Sequence, residues 1–203
     1  MSHYHPNWQN NRINFILSKY SSDFFNKKKI LELGPHNGYI GNVFKELGAE
    51  VHLIEGREEN VNHIKSVYPN ISIECSDLDI SDWKWGKWDI IINFGLFYHL
   101  QNNHEKHLVN CLKNCDLMFF ETVVYDSNKS EIYFRNENGL DQSLSMIGGT
   151  PSTSYVENIF KKEKRNYEIF KTSLLNGDSH TYDWVETNSK TYPDRNRRFW
   201  VIN

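Results

Sequence analysis

One stretch decides the fold of this chain: Lys29-Ile30-Leu31-Glu32-Leu33-Gly34-Pro35-His36-Asn37-Gly38-Tyr39-Ile40-Gly41. It begins as a short run of branched apolar residues, which is typical of a buried strand, and then breaks into glycines. The apolar residues Val43, Phe44 and Leu47 that follow have helical spacing. Glycines in such a turn let the backbone bend sharply, and the unpaired amides of the next helix point into the same space. The stretch therefore predicts a strand, a ligand-binding turn and a helix.

A second predicted strand ends in an acid. The run Val51-His52-Leu53-Ile54 is followed by Glu55, which lies 21 residues after Gly34, and then by Gly56. A carboxylate at the tip of the second strand is placed to accept hydrogen bonds from both hydroxyls of a ribose. The two strands therefore predict a site for an adenosine-containing cofactor. The glycine spacing differs from the dinucleotide pattern G-x-G-x-x-G. A nicotinamide-dependent enzyme and an ordinary strand-turn-helix without a ligand nevertheless stay open as alternative interpretations.

The motif around Glu32 resembles the first motif of class I S-adenosylmethionine-dependent methyltransferases, which is usually (D/E)-x-G-x-G-x-G. Glu32-x-Gly34 matches its start, whereas His36, preceded by Pro35, stands where the family has its second glycine. The resemblance implies S-adenosylmethionine as the cofactor, with Glu32 near the methionine amine. It also implies a Rossmann-like α/β fold, a three-layer sandwich with a seven-stranded, mostly parallel sheet and helices on both faces.

A third apolar strand, from Ile71 to Cys75, leads into Asp77 and Leu78. In the resembled family an acid at this place accepts a hydrogen bond from the adenine amino group, and the next backbone amide meets the ring. The alternative role for Asp77 is a turn or helix cap. The residues that the family motifs imply for cofactor binding are Glu32, Gly34, Pro35, His36, Gly38, Glu55, Gly56, Asp77, Leu78, Asn93, Phe94 and Gly95.

The composition and charge of the chain limit the classes of protein to which it can belong. The chain has 203 residues, of which 38% are hydrophobic and 24% charged, so we expect one domain spanning residues 1–203. The formal net charge of −3 gives no bulk attraction for nucleic acid. We expect a cytoplasmic protein without membrane contact, because there is no signal-peptide pattern and no apolar run of the roughly 18 residues that span a bilayer. The three cysteines, Cys75, Cys111 and Cys115, form no secreted disulfide framework.

Strand and helix patterns alternate along the chain, which predicts a parallel sheet with ligands at the carboxyl ends of its strands. The predicted strands are 29–33, 50–54, 71–75, 88–94, 115–121, 167–175 and 197–202. The predicted helices are 9–24, 38–47, 57–67, 104–113 and one that Pro151 and Ser152 open and that ends near Lys162. We expect residues 1–28 to form a helical cap, and the loops 126–150 and 176–196 to form the walls of a substrate pocket.

A narrower resemblance begins at the fourth strand. The run from Asn93 to Leu100, the run from Phe119 to Val124, and Thr150-Pro151-Ser152 are similar to the bacterial tRNA wobble-uridine carboxymethyltransferase branch and its short relatives. Tyr192-Pro193 followed by Arg197-Arg198-Phe199 matches the end of that branch. This likeness implies that Tyr98 and Arg198 hold the extra carboxylate of carboxy-S-adenosylmethionine, since an arginine pairs strongly with a carboxylate.

Two differences from that branch favour another acceptor. Only about 28 residues precede the first strand, whereas the tRNA enzyme has a long N-terminal region that supplies a further basic contact. The acidic balance also gives little attraction for tRNA. Short relatives of the branch resemble small-molecule or glycan methyltransferases, so we expect ordinary S-adenosylmethionine and a small acceptor.

Four residues are candidates for the chemistry. His99 follows the fourth strand and is a candidate general base for a hydroxyl acceptor, its alternative role being structural. Glu121, at the end of the fifth strand, and Asp141 are further base candidates. Tyr98 is expected to contact cofactor or substrate. His104 and His107 share a predicted helix, and no Cys or Asp cluster completes a coordination set with His99, so no metal site is expected.

Three functions follow from the sequence. The favoured function is methyl transfer from S-adenosylmethionine to a hydroxyl or amine of a small molecule or sugar. The second is modification of a wobble uridine in tRNA by a methyl or carboxymethyl group. The third is a non-catalytic module that binds the cofactor without transfer, for which His36 in the glycine turn is the sequence argument.

Overall fold

A seven-stranded sheet organises the protein. The computed structural model describes residues 6–80, 86–139, 141–190 and 195–203, so the Tyr192-Pro193 motif lies outside the described residues. The strands within these ranges are β1 (Lys29–Leu33), β2 (Glu50–Glu55), β3 (Ser72–Cys75), β4 (Trp88–Phe94), β5 (Cys115–Val123), β6 (Ile132–Asn136), β7 (Ile147–Pro151), β8 (Tyr167–Phe170) and β9 (Arg197–Ile202). The sheet has the order β3-β2-β1-β4-β5-β9-β8, in which β9 alone runs antiparallel to both neighbours. The predicted Rossmann-like architecture is confirmed.

Helices cover both faces of the sheet. They are α1 (Pro6–Lys19), α2 (Tyr39–Glu46), α3 (Glu58–Val67), α4 (His104–Lys113) and α5 (Thr153–Lys162). Apolar residues of α1, α2 and α3 pack in one buried cluster, and those of α4 and α5 pack in a second on the opposite face. Neighbouring residues of β5 show the division, because Phe119 belongs to the first cluster and Phe120 to the second. Two buried faces explain why the central strands β1, β4 and β5 are mostly apolar.

Several element boundaries differ from the sequence predictions. The first helix covers Pro6–Lys19, and a separate 3₁₀ turn covers Ser22–Phe25. The strand predicted over 167–175 ends at Phe170. The fifth helix begins at Thr153, because Ser152 is its N-cap and accepts a hydrogen bond from the Tyr155 amide, whereas Pro151 is the last residue of β7.

The segment 126–150, predicted as a loop, contains the antiparallel hairpin of β6 and β7. This hairpin docks on the residues that follow β4: the Gly149 amide donates to the Leu100 carbonyl at 2.8 Å. The ring of His104, at the start of α4, donates to the Gly149 carbonyl at 2.8 Å. The hairpin is therefore fixed at the edge of the sheet where β1 to β5 end. In the described ranges, no helix has the length and apolar character needed to cross a bilayer.

Candidate functional site

A cleft of about 550 Å³ opens at the carboxyl ends of the parallel strands. Its walls come from the turn 34–37, the residues after β2, β3 and β4, the start of α1 and the hairpin loop 141–145. Arg197 also lines it, because β9 runs antiparallel and therefore begins at this edge. The start of α1 is joined to the glycine turn by a hydrogen bond of 3.0 Å from the Gln9 amide to Asn37 Oδ1.

The Glu55 carboxylate holds two turns of the cleft together. One oxygen accepts from the His36 amide at 3.1 Å, and the other accepts from the Arg57 amide at 3.0 Å. Gly34 begins the first turn with φ +65°, a conformation that a side chain would strain, and a Cβ there would lie 3.1 Å from Leu96. His36 has a positive φ of 56° as well, so the turn keeps its shape without a glycine at that position.

Glu32 is a buried acid that lines the cleft, and its Oε2 atom lies against Gly41, where an added Cβ would come within 2.6 Å of it. Burial raises its pKa to about 8, the Glu55 charge acts in the same direction, and a hydrogen bond from the Gly41 amide opposes both. Its Oε2 atom is buried without a hydrogen-bond partner among the described residues. A cationic donor in the cleft would complete its bonding and favour the ionised form.

The residues after β3 form a second acidic corner. Asp77 and Leu78 line the cleft, and Asp77 Oδ1 accepts from the Asp79 amide at 2.9 Å. Asp79 in turn accepts from the backbone amides of Gln101, Asn102 and Asn103 at 3.0, 2.9 and 3.2 Å. Asp79 lines the cleft and was not among the predicted site residues, although its place two residues after Asp77 is a usable signal.

A histidine and a glutamate pair at the opposite side of the cleft. His99 lies in a 3₁₀ turn, Phe97–His99, and its Nδ1 is 2.5 Å from Glu137 Oε2. The His99 side chain is 17% exposed and that of Glu137 is fully buried. Glu137 also accepts from Arg135 Nη2 at 2.9 Å and from the Ser143 amide at 3.1 Å. Burial raises the Glu137 pKa, but the hydrogen bond and charge of His99 and the charge of Arg135 outweigh it, so the pKa is lowered and the carboxylate is ionised.

Glu121 lies behind the cleft, between two arginines. Its Oε1 is 2.9 Å from Arg12 Nη2 and 2.9 Å from Arg197 Nη1, and the Tyr182 hydroxyl donates to it at 3.2 Å. Although burial raises the Glu121 pKa, the two guanidinium charges outweigh it and lower the pKa. Because this carboxylate is fully buried and does not line the cleft, the structure does not support its predicted role as a base.

Arg198, predicted to hold a carboxylate, faces away from the cleft. Its guanidinium bonds Glu186 at 3.0 Å and the Tyr182 carbonyl at 2.9 Å. Arg197 instead lines the cleft and donates to the Tyr98 hydroxyl at 3.2 Å. Successive residues of a strand face opposite sides, so an error of one position moves the side chain across the sheet. The arginine beside Tyr98 is Arg197.

The comparisons with known proteins agree with this geometry. A family model described as a methyltransferase domain matches residues 7–161. The chain belongs to this family. No curated protein matches this chain in sequence.

Solved structures show the same fold at low identity. The N-terminal domain of EvdMO1, determined in the presence of SAH and D-fucose, has a TM-score of 0.70 and 17% identity, covering 98% of this chain and 83% of that chain. An S-adenosylmethionine-dependent methyltransferase from Clostridium acetobutylicum has a TM-score of 0.66 and 10% identity, covering 96% and 91%. Coclaurine N-methyltransferase bound to N-methylheliamine and SAH has a TM-score of 0.56 and 15% identity, covering 80% and 51%.

The cleft of the methyltransferase domain brings most of the predicted residues together. Gly38 does not line it: this residue caps α2, and a Cβ there would lie 3.0 Å from Ile64. Asn93 is buried behind the cleft, where its amide donates to His107 Nε2 at 2.8 Å. The predicted residues that do line the cleft are Glu32, Gly34, Pro35, His36, Glu55, Gly56, Asp77, Leu78, Phe94, Gly95, Tyr98, His99 and Asp141.

The three neighbouring histidines do not converge. His104 donates to the Gly149 carbonyl, and His107 pairs with Asn93. Burial lowers the His107 pKa to about 3, so its ring is neutral. His99 pairs with Glu137 instead. Within the described ranges, no cluster of three or more histidine, cysteine or acidic residues could hold a metal ion.

The hairpin loop 141–145 covers the part of the cleft next to Glu55 and Gly56. The Gln142 carbonyl accepts from the Arg57 guanidinium, and Leu144 lies over Gly56, where an added Cβ would come within 2.7 Å of Leu144 Cδ1. The His36 ring lies 3.6 Å from Asp141 Oδ1. The loop and the glycine turn are thus in direct contact, so the loop forms a lid over this part of the cleft.

Proposed function

We propose that the protein transfers a methyl group from S-adenosylmethionine to a hydroxyl or amine of a small molecule or sugar. Bound donor supplies an activated methyl sulfonium. The residues of the cleft fit it: Glu55 faces the ribose hydroxyls, Asp77 the adenine amino group and Glu32 the methionine ammonium. The buried, partnerless Glu32 Oε2 is the observation that favours an ammonium-bearing donor over a nicotinamide dinucleotide. The family match and the SAH-containing structural neighbours support this assignment.

The proposed catalysis depends on the pair of His99 and Glu137. An ionised carboxylate only accepts hydrogen bonds, so Nδ1 of His99 must carry the proton that Glu137 receives. In the neutral form of the ring, Nε2 then carries the lone pair that a general base requires. Methyl transfer from a sulfonium needs an in-line nucleophile and removal of its proton, and His99 lines the cleft where that nucleophile would lie.

We infer a small acceptor because the cleft is enclosed by neighbouring segments. Trp8 and Gln9 of α1, the hairpin loop 141–145 and His180 close the cleft from three sides. The structure of the EvdMO1 domain was determined in the presence of D-fucose, and that of coclaurine N-methyltransferase has N-methylheliamine bound. We therefore assign this chain to the small-molecule or sugar class rather than to the tRNA class.

The test begins with calorimetric titration of S-adenosylmethionine, S-adenosylhomocysteine and carboxy-S-adenosylmethionine. We expect micromolar binding of the first two. Formation of S-adenosylhomocysteine is then measured with a panel of sugars, phenols and amines, using His99→Gln and, as the matched control on an exposed face of α3, His63→Gln. His99→Gln should keep donor affinity and lose turnover by about 10² to 10⁴-fold. Unchanged turnover would remove His99 as the base.

The same titration separates the other two functions. A strong preference for carboxy-S-adenosylmethionine, together with retention of tRNA at low salt, would favour the wobble-uridine function. Failure of all three ligands to bind would mean that His36 and Pro35 have closed the donor site, and would leave a module without transfer activity.

A further inference from the structure

The acceptor side of the cleft carries an excess positive charge. Arg12 and Arg197 share one carboxylate, that of Glu121. The Arg12 and Glu121 side chains are 0% exposed, and that of Arg197 is 5% exposed. A buried charge is costly unless it is paired, and two guanidinium groups with one carboxylate leave one charge uncompensated. The described part of the chain supplies no second acid to this cluster.

Arg197 is the member of the cluster that reaches the cleft. Arg12 lies beneath Trp8, with its guanidinium carbon 3.4 Å from the ring centroid, whereas Arg197 lines the cleft. A guanidinium has five N–H donors. Arg197 uses Nη1 for Glu121 and Nη2 for the Tyr98 hydroxyl, and its Nε is buried without a partner among the described residues. Trp8 Nε1 is a second buried donor without a hydrogen-bond partner among the described residues. Donors therefore exceed acceptors here.

This cluster borders Gly95 but lies apart from Glu32, the residue proposed to face the ammonium of the donor. Glu32 lies on β1, while Arg197 begins β9, and the sheet order places β4 and β5 between them. Adjacent strands are about 4.8 Å apart, so the two strand ends are separated by about 14 Å. Tyr98, which Arg197 contacts, is next to His99 in the chain. The uncompensated charge thus lies on the side of the cleft that holds the base.

We propose that the acceptor carries a carboxylate, which binds Arg197 and the Tyr98 hydroxyl while its nucleophile lies next to His99. The proposal rests on the proposed methyl transfer and adds the substrate class. A carboxylate would supply the missing counter-charge and would accept hydrogen bonds from the planar fork of the guanidinium. A neutral acceptor of the same shape would leave the charge unpaired.

The test uses a matched pair of probes, 3-hydroxybenzoate and 3-hydroxybenzamide, titrated into the full-length protein saturated with S-adenosylhomocysteine. We expect the carboxylate to bind at least tenfold more tightly than the amide. Arg197→Gln should remove this preference and leave the affinity for S-adenosylhomocysteine within about twofold. Arg195→Gln, which removes an exposed arginine two residues earlier, should leave the preference intact. Tyr98→Phe should reduce the preference about threefold, and it decides the question if Arg197→Gln does not fold.

Three results would overturn the proposal while leaving the proposed function standing. The first is equal binding of the two probes to the unmodified protein. The second is a loss of S-adenosylhomocysteine affinity in Arg197→Gln, which would assign the arginine to the donor's own carboxylate. The third is a tenfold preference for carboxy-S-adenosylmethionine over S-adenosylmethionine that Arg197→Gln abolishes, which would place the anion on the donor. Absence of S-adenosylhomocysteine binding in the unmodified protein would instead contradict the proposed function.

Discussion

The two ends of the cleft are built in different ways. At the donor end, each contact comes from a short local motif at the tip of one strand: the turn 34–37 after β1, Glu55 with Gly56 after β2, and Asp77 with Leu78 after β3. At the acceptor end, the side chains come from distant segments that meet through tertiary packing: Trp8, Tyr98, His99, Glu137, His180 and Arg197. The comparison shows that donor chemistry is encoded locally, whereas acceptor chemistry depends on the whole fold.

The ends also differ in charge. The donor end carries Glu55, Asp77 and Asp79, which suit a ligand rich in hydroxyl and amino donors. The acceptor end carries Arg197 and Arg135, of which Arg135 is paired with Glu137. A molecule that entered the wrong end would meet like charges or unpaired donors, so this division orients both ligands.

After His99→Gln, the largest effect that separates the two ends is expected from Glu137→Gln. The neutral amide can also accept the His99 Nδ1 proton, but it can equally donate and does not stabilise a positive imidazole. We expect kcat to fall about 30- to 100-fold, which corresponds to about 2 to 3 kcal/mol, with donor affinity unchanged. Steady-state kinetics and calorimetry measure the two quantities. The control is Glu168→Gln on the exposed side of β8.

A merely structural Glu137 would give a different result. Because it also accepts from Arg135 and the Ser143 amide, its loss could loosen the lid, and donor affinity would then fall together with kcat. A parallel fall in both quantities would contradict the separation of the two ends.

At the donor end, Glu55→Ala should act on binding. The carboxylate that faces the ribose also orders the His36 and Arg57 amides, so its removal leaves both turns without their acceptor. Hydrogen bonds to charged groups contribute about 1.5 to 3 kcal/mol, which predicts a loss of donor affinity of about 10- to 100-fold by calorimetry. Glu59→Ala, an exposed acid four residues later, is the control. Donor binding that Glu55→Ala does not alter would remove the site assignment.

These differences explain how much the sequence could predict. A donor site could be predicted because a parallel strand, a glycine turn and an acid lie within a few residues of each other, so local order implies proximity. Gly38, which was also predicted, lies outside the lining of the cleft and caps α2. The strands of the main sheet and the helices were mostly placed to within a few residues for the same reason, since their apolar patterns are local, whereas the hairpin of β6 and β7 was not predicted.

The acceptor site could be predicted only in part. His99 and Tyr98 belong to a recognisable run after β4, whereas Glu137 belongs to a hairpin 38 residues away with no motif of its own. Arg197 and Arg198 are neighbours in sequence, and only the register of β9 against β5 decides which one faces the cleft. Because successive side chains of a strand face opposite sides, only one arginine of the pair can face the cleft. The sequence alone does not show which one it is.

The pH dependence of donor binding tests the donor end more finely. Since burial holds the Glu32 pKa at about 8, the free protein has this acid protonated near pH 7. An ammonium bound beside it favours the ionised form, so binding of S-adenosylhomocysteine should release a proton below pH 8. Affinity should therefore rise between pH 6 and 7.5, by at most tenfold per pH unit.

Calorimetry in buffers of different ionisation enthalpy measures that proton release directly. 5′-Methylthioadenosine, which lacks the ammonium group, should bind without it, and Glu32→Gln should abolish it for S-adenosylhomocysteine. Proton uptake, or a release that methylthioadenosine shares, would mean that another group in the cleft titrates and that Glu32 does not face the amine.

The smallest expected effect concerns the lid, which joins the two ends. Leu144 is 44% exposed, contacts Gly56 and lines the cleft, whereas Met146, two residues later, is 63% exposed and does not line it. Leu144→Ala should remove apolar contact worth about 0.5 to 1 kcal/mol and lower donor affinity about two- to fivefold, while Met146→Ala should change nothing. Because the same loop contributes the Ser143 amide to Glu137, a further fall in kcat for Leu144→Ala would show that closure over the donor also sets the position of the base. An unchanged kcat would show that the two ends of the cleft act independently.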